Sequence, residues 1–195
     1  MRGDEGDGER VLRIVTSNEG KAREFSAALS GIPWRVERVA SPYEEVQADT
    51  LDEVAEASAR HLLAEGAVQP PFLLEDAGLF IKGLNGFPGV YSAYVFNTIG
   101  CKGILRLMEG NRARDASFES RIALCLPGGS IELLSGTCSG TIVQGERGSG
   151  GFGFDPVFIP QGEYRTFAEM SIDEKEGHSH RGKALAALRE RLAGL

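Results

Sequence analysis

An α/β fold with a mixed sheet is predicted from three observations: strand-like runs precede helical ones twice before residue 66, apolar residues fall on alternate positions after Ala116, and an apolar stripe closes the chain. The first pair is "VLRIVTSN", a β-rich run, followed by "EGKAREFSAALSG", where Ala22, Phe25 and Leu29 fall at helical spacing before a stop at Gly31. "WRVERVA" alternates as a second strand. The acidic loop "SPYEEVQADT" then leads into a helix whose Leu51, Val54, Ala55 and Leu62 share one face. "FLLED" reads as a buried strand ending in two acids, and "AGLFIKGLNGFPGVYSAY" beyond it is rich in turn residues. Residues 98–109 are expected to form one helix through Ile104, Leu107 and Met108, although Gly100 and Gly103 weaken it.

The pattern then changes. "ASFESRIALCL" places Phe118, Ile122, Leu124 and Leu126 on alternate positions, and "PGG" turns it back into "SIELLSGTCSGTIV", an antiparallel arrangement. A glycine-dense loop, "GERGSGGFGFDP", precedes the apolar run "VFIP". The last helix carries Leu185, Leu188 and Leu192 on one stripe. In such folds ligands favour a cleft at the ends of strands.

A chain of 195 residues with 42% hydrophobic residues can bury a real core. The first nine residues read as a disordered, solvated tail, and 10–195 as a single domain. Cys101, Cys125 and Cys138 have neither zinc-like spacing nor an even count, which fits a reduced, cytoplasmic setting. No run approaches the length of a membrane span, and the start lacks the apolar core of a signal peptide. A formal net charge of −7 argues against a nucleic-acid polymer as the partner, because such binding needs a broad basic face. A small polyanion held locally is compatible with it.

Four stretches could carry chemistry. In "TSNEGK", at the junction of first strand and helix, Thr16, Asn18 and Lys21 could join the helix N-terminus in holding phosphate; equally, Ser17 or Asn18 could simply cap the helix. Glu44, Glu45 and Asp49 in one loop, with Glu75 and Asp76 after a buried strand, could supply the one or two carboxylates that Mg²⁺ takes from protein, or be solvated surface. "GGFGFDP" offers bare backbone and the rings of Phe152 and Phe154 for stacking on a base, or is a tight connection whose rings are core. In "EKEGHSHRGKAL", Ser179 is expected to cap the final helix and place His180 and Arg181 in its first turn, with Lys175 just upstream. Cations there oppose the helix dipole unless an anion is shared, which points to a ligand. The alternative is a surface cluster paired with Asp173, Glu174 and Glu176. His178 takes no role in either reading.

Taken together, "TSNEGKAREF", "LLEDAGLFIKGLNGFPGVYSAY", "GFGFDPVFIP" and "TFAEMSIDEKEGHSHRGKAL" resemble, in order and spacing, the inosine triphosphate pyrophosphatase family, from about Leu12 to Leu188. The resemblance implies an elongated, two-lobed α/β fold with a central mixed sheet flanked by helices, an active-site cleft between the lobes, and a homodimer. It implies Mg²⁺-dependent hydrolysis of ITP, dITP and XTP to the monophosphate and pyrophosphate. By motif, Thr16, Ser17, Asn18, Glu19, Gly20, Lys21 and Ala77 would bind substrate phosphate, and Glu45 and Asp76 the metal, with Asp76 also the general base. Phe152, Gly153, Phe154, Asp155, Lys175, His180 and Arg181 would bind the nucleoside, the last two closing on the oxidised purine edge. Ala77, Ser17, Phe154 and Glu176 depart from the residues usual at these places. Alternative functions are a house-cleaning pyrophosphatase of different base preference, or a non-catalytic nucleotide sensor.

Overall fold

The computed structural model describes residues 10–41 and 46–195. The expected tail, and the loop positions that include Glu44 and Glu45, lie outside the described residues.

Strand β1 (Val11–Val15), helix α1 (Glu19–Ala28) and strand β2 (Arg35–Val39) form the first unit, and helix α2 (Leu51–Glu65) leads into the long strand β3 (Phe72–Ile81). The short strand β4 (Pro88–Gly89) and helices α3 (Ser92–Thr98) and α4 (Gly100–Leu107) follow. Strands β5 (Asp115–Cys125) and β6 (Ile131–Ile142) make a long hairpin, and β7 (Phe158–Pro160), α5 (Ile172–His178) and α6 (His180–Ala193) complete the chain. The sheet runs β2-β1-β3-β5-β6-β7, with β4 beside β3. β1 is parallel to β2 and β3, whereas β3, β5, β6 and β7 pair antiparallel. The expected mixed α/β sheet is therefore the observed one.

Helices cover both faces of the sheet where its strands are parallel, which is why β3 begins as an unbroken apolar run rather than an alternation. On one face Phe25 of α1 and Leu185, Leu188 and Leu192 of α6 pack on Leu12, Leu73 and Ile122. On the other, Ala55, Ala59 and Leu62 of α2 pack on Phe72, Leu74 and Ala123. Thr50 starts α2 with a reciprocal cap involving Glu53, and Gly66, left-handed at φ 63°, ends it. A further core packs on the antiparallel part of the sheet: Leu79, Ile81, Ile104, Met108, Phe118, Phe158 and Phe167.

Two expectations are corrected. β3 does not stop at Glu75 and Asp76; it continues to Ile81, because "AGLFI" pairs with β5 as far as Ile81 opposite Ala116. The two acids thus lie within a strand. The helix expected over 98–109 is α4, with slightly shorter ends, but the turn-rich stretch before it holds a further helix, α3; the two break at Ile99 and Gly100, where Gly100 has φ 61°, a left-handed turn that disrupts a continuous helix. A close approach also fixes α6: a Cβ at Gly136 on β6 would overlap the carbonyl oxygen of His180, so the first turn of α6 lies directly on the sheet.

Candidate active site

Val15, the last residue of β1, is paired with Leu74, so Glu75 and Asp76 occupy the part of β3 just beyond the end of β1. Adjacent residues of a strand point to opposite faces, so the two carboxylates part company there. Glu75 joins the α1/α6 face. Asp76, half-buried, joins the α2 face, directly opposite Arg121 of β5.

The loop after β1 is built by its own polar groups. Asn18 caps α1, its side chain accepting from the amides of Gly20 at 2.8 Å and Lys21 at 3.1 Å, and Thr16 Oγ1 accepts from the Asn18 amide. Arg38 at the end of β2 braces the turn through the carbonyls of Thr16 and Ser17 and an ion pair with Glu19. Ser17, Asn18 and Glu19 are exposed. The turn of the helix then carries Lys21 inward, where its ammonium meets the Glu75 carboxylate at 2.8 Å and donates to the Glu75 carbonyl at 2.6 Å.

Glu75 is the centre of a buried charge cluster. Arg181 Nε donates to it at 3.1 Å and Ser120 Oγ at 2.7 Å. Arg181 also pairs with Glu24 of α1, and Lys175 bridges Glu24 and Asp155 at 2.7 Å each. Burial pushes the Glu75 carboxyl up, but the charges of Arg181 and Lys21 and the bonds from Lys21 and Ser120 outweigh it and hold it well below the usual range. Glu24 is likewise lowered, burial being outweighed by Arg181 and Lys175. Arg181 is raised: burial opposes its charge, but Glu75 and Glu24 prevail. For Asp155 burial wins over Lys175 and the Phe152 amide, which donates to it at 2.8 Å, and its carboxyl is raised.

Phe152 roofs this cluster. Its ring lies 4.6 Å from Lys175 Nζ and 5.3 Å from the Arg181 guanidinium carbon, in cation–π geometry. It also rests on Gly20, where any Cβ would overlap the ring. Gly153, at φ 61°, turns the chain so that Phe154 goes the other way, buried edge-on against Phe96. Ala77 shares the Glu75 face, opposite Ser120.

Ser179 caps α6 as expected, accepting from the Gly182 amide at 2.9 Å. The charge reading of that helix start is corrected. Arg181 and Lys175 are neither unpaired at an open helix mouth nor matched to Asp173, Glu174 and Glu176; their partners are Glu24, Glu75 and Asp155, which neutralise Lys175 and the Arg181 charge that the α6 dipole disfavours. Glu174 pairs with Arg165 instead. His180 is buried, its imidazole stacked on Phe118 at 4.7 Å with an interplanar angle of 11°, and its Nδ1 has no hydrogen-bond partner among the described residues. Burial first, then the Arg181 charge, keeps it well below an ordinary histidine pKa, so the ring is neutral. His178 lies outside the cluster, 3.3 Å from Glu163.

Lys21, Phe152, Asp155, Lys175 and Arg181 are thus brought together, with the Thr16–Gly20 turn and His180 at the margins. Asp76 stands on the other side of the strand, and Glu45 lies outside the described residues. Glu24, Ser120 and Arg38 were not anticipated. For Glu24 the one local signal is its place three residues after Lys21 on the same helix face. Among the described residues no group of three or more His, Cys, Asp or Glu side chains could hold a metal. A cavity of about 680 Å³ opens further along the Asp76 face, over Phe80, Ser117, Ser139 and Thr141, and none of the expected site residues lines it.

A model of the Ham1 family matches residues 12–191, the span that contains all of these groups. The chain belongs to the Ham1 family. It is 50% identical over 174 residues to a dITP/XTP pyrophosphatase of Thermococcus kodakarensis, covering 89% of this chain and 92% of that one. It is 49% identical over 177 residues to a dITP/XTP pyrophosphatase of Methanopyrus kandleri, covering 91% and 93%. A solved HAM1 protein from Coxiella burnetii superposes with a TM-score of 0.82 at 29% identity, covering 95% of this chain and all of that one, 100%. The Ham1 assignment and the curled mixed sheet agree with the fold described above. Among the described residues no helix is long and apolar enough to cross a membrane.

Proposed function

We propose that this chain hydrolyses non-standard purine nucleoside triphosphates, ITP, dITP and XTP, between the α- and β-phosphates, with Mg²⁺, and so clears them from the nucleotide pool. That it is a hydrolase of phosphoanhydride bonds follows from its place in the Ham1 family beside relatives named dITP/XTP pyrophosphatase. The observation that carries the finer reading is the junction at the end of β1: a carboxylate on each face of β3, a capped helix start beside them, and a roofed cation cluster next door.

In this reading the base stacks at Phe152, a contact worth about 1 to 3 kcal/mol. An oxo group on its edge accepts from the Arg181 guanidinium beneath the ring, whereas an amine there would leave that donor unpaired. The triphosphate passes the Thr16–Lys21 turn. Asp76 takes the proton of the attacking water, and the strand holds its carboxylate in place without a flexible loop. Mg²⁺ draws one or two carboxylates from protein and fills its other positions with water and phosphate. Asp76 and Glu45 would hold it, and it would offset phosphate charge when bound.

As a soluble enzyme of a reducing compartment the protein is expected to be cytoplasmic, in keeping with Cys101, Cys125 and Cys138, all free and buried. A homodimer is proposed as well, since α3, α4 and the residues that flank them expose Tyr91, Tyr94, Phe96, Ile99 and Leu107. Product analysis tests the activity. ITP with Mg²⁺ should give IMP and pyrophosphate, with ATP and GTP much slower; IDP and orthophosphate would overturn it.

A further inference from the structure

We propose that Arg121 is a phosphate ligand, a guanidinium that leaves its protein partners to hold the pyrophosphate end of the substrate. The proposal rests on the function just given. Arg121 sits directly opposite Asp76 across the β3–β5 pair, on the same face, where opposed Cβ atoms are about 4.5 to 5.5 Å apart. The base is on the other face, with Phe152 and Arg181. If Asp76 stands at the α-phosphorus, the β- and γ-phosphates extend away from the base, toward Arg121.

The cost of releasing each cation singles out the same residue. A triphosphate carries about four negative charges, yet Lys21, Lys175 and Arg181 are already committed to Glu24, Glu75 and Asp155. Detaching Arg181 would leave Glu75, whose side chain is 2% exposed, facing Lys21 as its one cation among the described residues, and breaking such a buried pair is costly. Arg121 differs. Its partners are Asp52, at the start of α2 and 54% exposed, and Glu119, 27% exposed and 3.4 Å away. Both can return to water, and pairs with such exposed carboxylates contribute little. The backbone carbonyl of Ser120, 3.1 Å from the third guanidinium nitrogen, supports the fork without binding its charge.

A guanidinium presents paired N–H groups that match phosphate oxygens. During hydrolysis the water oxygen bonds to the α-phosphorus and its proton goes to Asp76. The α–β bond breaks, and the bridging oxygen departs with the electron pair on pyrophosphate. Charge therefore grows on the group that Arg121 holds, so the contact tightens as the bond breaks.

The test is calorimetric binding of inorganic pyrophosphate with Mg²⁺, and of IMP, to the wild type, Arg121→Gln, Arg121→Lys and Asp52→Asn, together with kcat and KM for ITP. Arg121→Gln should weaken pyrophosphate about 10- to 150-fold, the range for a hydrogen bond to a charged group, while IMP binding stays within twofold. Arg121→Lys should fall between it and wild type, since it keeps charge but loses the fork. Asp52→Asn, which removes a competitor for the guanidinium, should tighten pyrophosphate. Wild-type pyrophosphate affinity in Arg121→Gln, or equal weakening in Arg121→Gln and Asp52→Asn, would overturn the proposal and leave Arg121 as a tie between α2 and β5. Should Arg121→Gln fail to fold, the Lys and Asp52→Asn pair decides alone. A wild type that binds pyrophosphate but does not cleave ITP would defeat the function proposed above and not this one.

Discussion

Replacing Glu75 with glutamine should unfold the protein more readily by an amount the structure sets. The side chains of Glu75 and Arg181 are 2% and 3% exposed, and Lys21 lies on the same carboxylate at 2.8 Å. Glutamine keeps the volume and can still accept from Ser120, so the change is almost purely one of charge. It leaves Arg181 buried with Glu24 as its sole carboxylate among the described residues. Removing one partner of a buried ion pair costs about 3 to 5 kcal/mol. At about 2 to 4 °C per kcal/mol for a chain of this size, Tm should drop by about 6 to 20 °C. Thermal and urea unfolding followed by circular dichroism would measure it. The pH profile gives a second check. Because the folded carboxyl of Glu75 is held well below its unfolded value, near 4.3, the unfolded chain binds the extra proton first on acidification. Its stabilisation is complete above that unfolded pKa and is lost as pH falls below it, toward the lower folded pKa. Glu24 contributes with the same sign. Glu75→Gln should therefore lose stability at neutral pH and flatten the acid limb. A loss below about 1 kcal/mol with an unchanged acid limb would refute the claim that this pair anchors α6 to the sheet.

Asp76→Asn should cut kcat for ITP by about 10² to 10⁴ while Tm moves little, since the residue is half-buried and outside the buried cluster; steady-state kinetics beside a melting curve would check both. Gly182→Ala should destabilise by about 1 to 3 kcal/mol, because a Cβ there would overlap the Glu176 carbonyl where α5 turns into α6, and urea unfolding would measure it.

The legible parts of the fold were those with local causes. Ser179 could be placed as a cap because a serine directly before a helical run has one obvious use, and the β5–β6 hairpin followed from alternation around "PGG". β3 was cut short because Gly78 reads as a turn residue. In the structure it lies in mid-strand, where a side chain would overlap the Gly89 carbonyl of β4. That reason is visible only in three dimensions. The same holds for the site. The motif residues Lys21, Asp155, Lys175 and Arg181 do converge, but Glu24, the counter-charge of Lys175 and Arg181, stands 157 positions from Arg181, and no spacing rule links them. The placing of Glu75 and Asp76 on opposite faces was hidden by reading them as a strand end, where alternation would not have separated them.

The cluster's formal charge is balanced, with Lys21, Lys175 and Arg181 against Glu24, Glu75 and Asp155, and each acid comes from a different part of the chain: α1, β3 and the loop before β7. This balance explains how α6 can begin with an arginine in its first turn. The unfavourable dipole term of a few tenths of a kcal/mol is small beside two carboxylate contacts made out of water. It also means that the cluster joins α1, β3, α5 and α6 as well as facing the Phe152 roof. A substitution within it acts on stability and on nucleotide binding together, so activity alone cannot assign a role to any of the six. Asp76 and Arg121, on the far face and with more exposed surroundings, do not share that coupling. There a loss of function at constant Tm reports on chemistry.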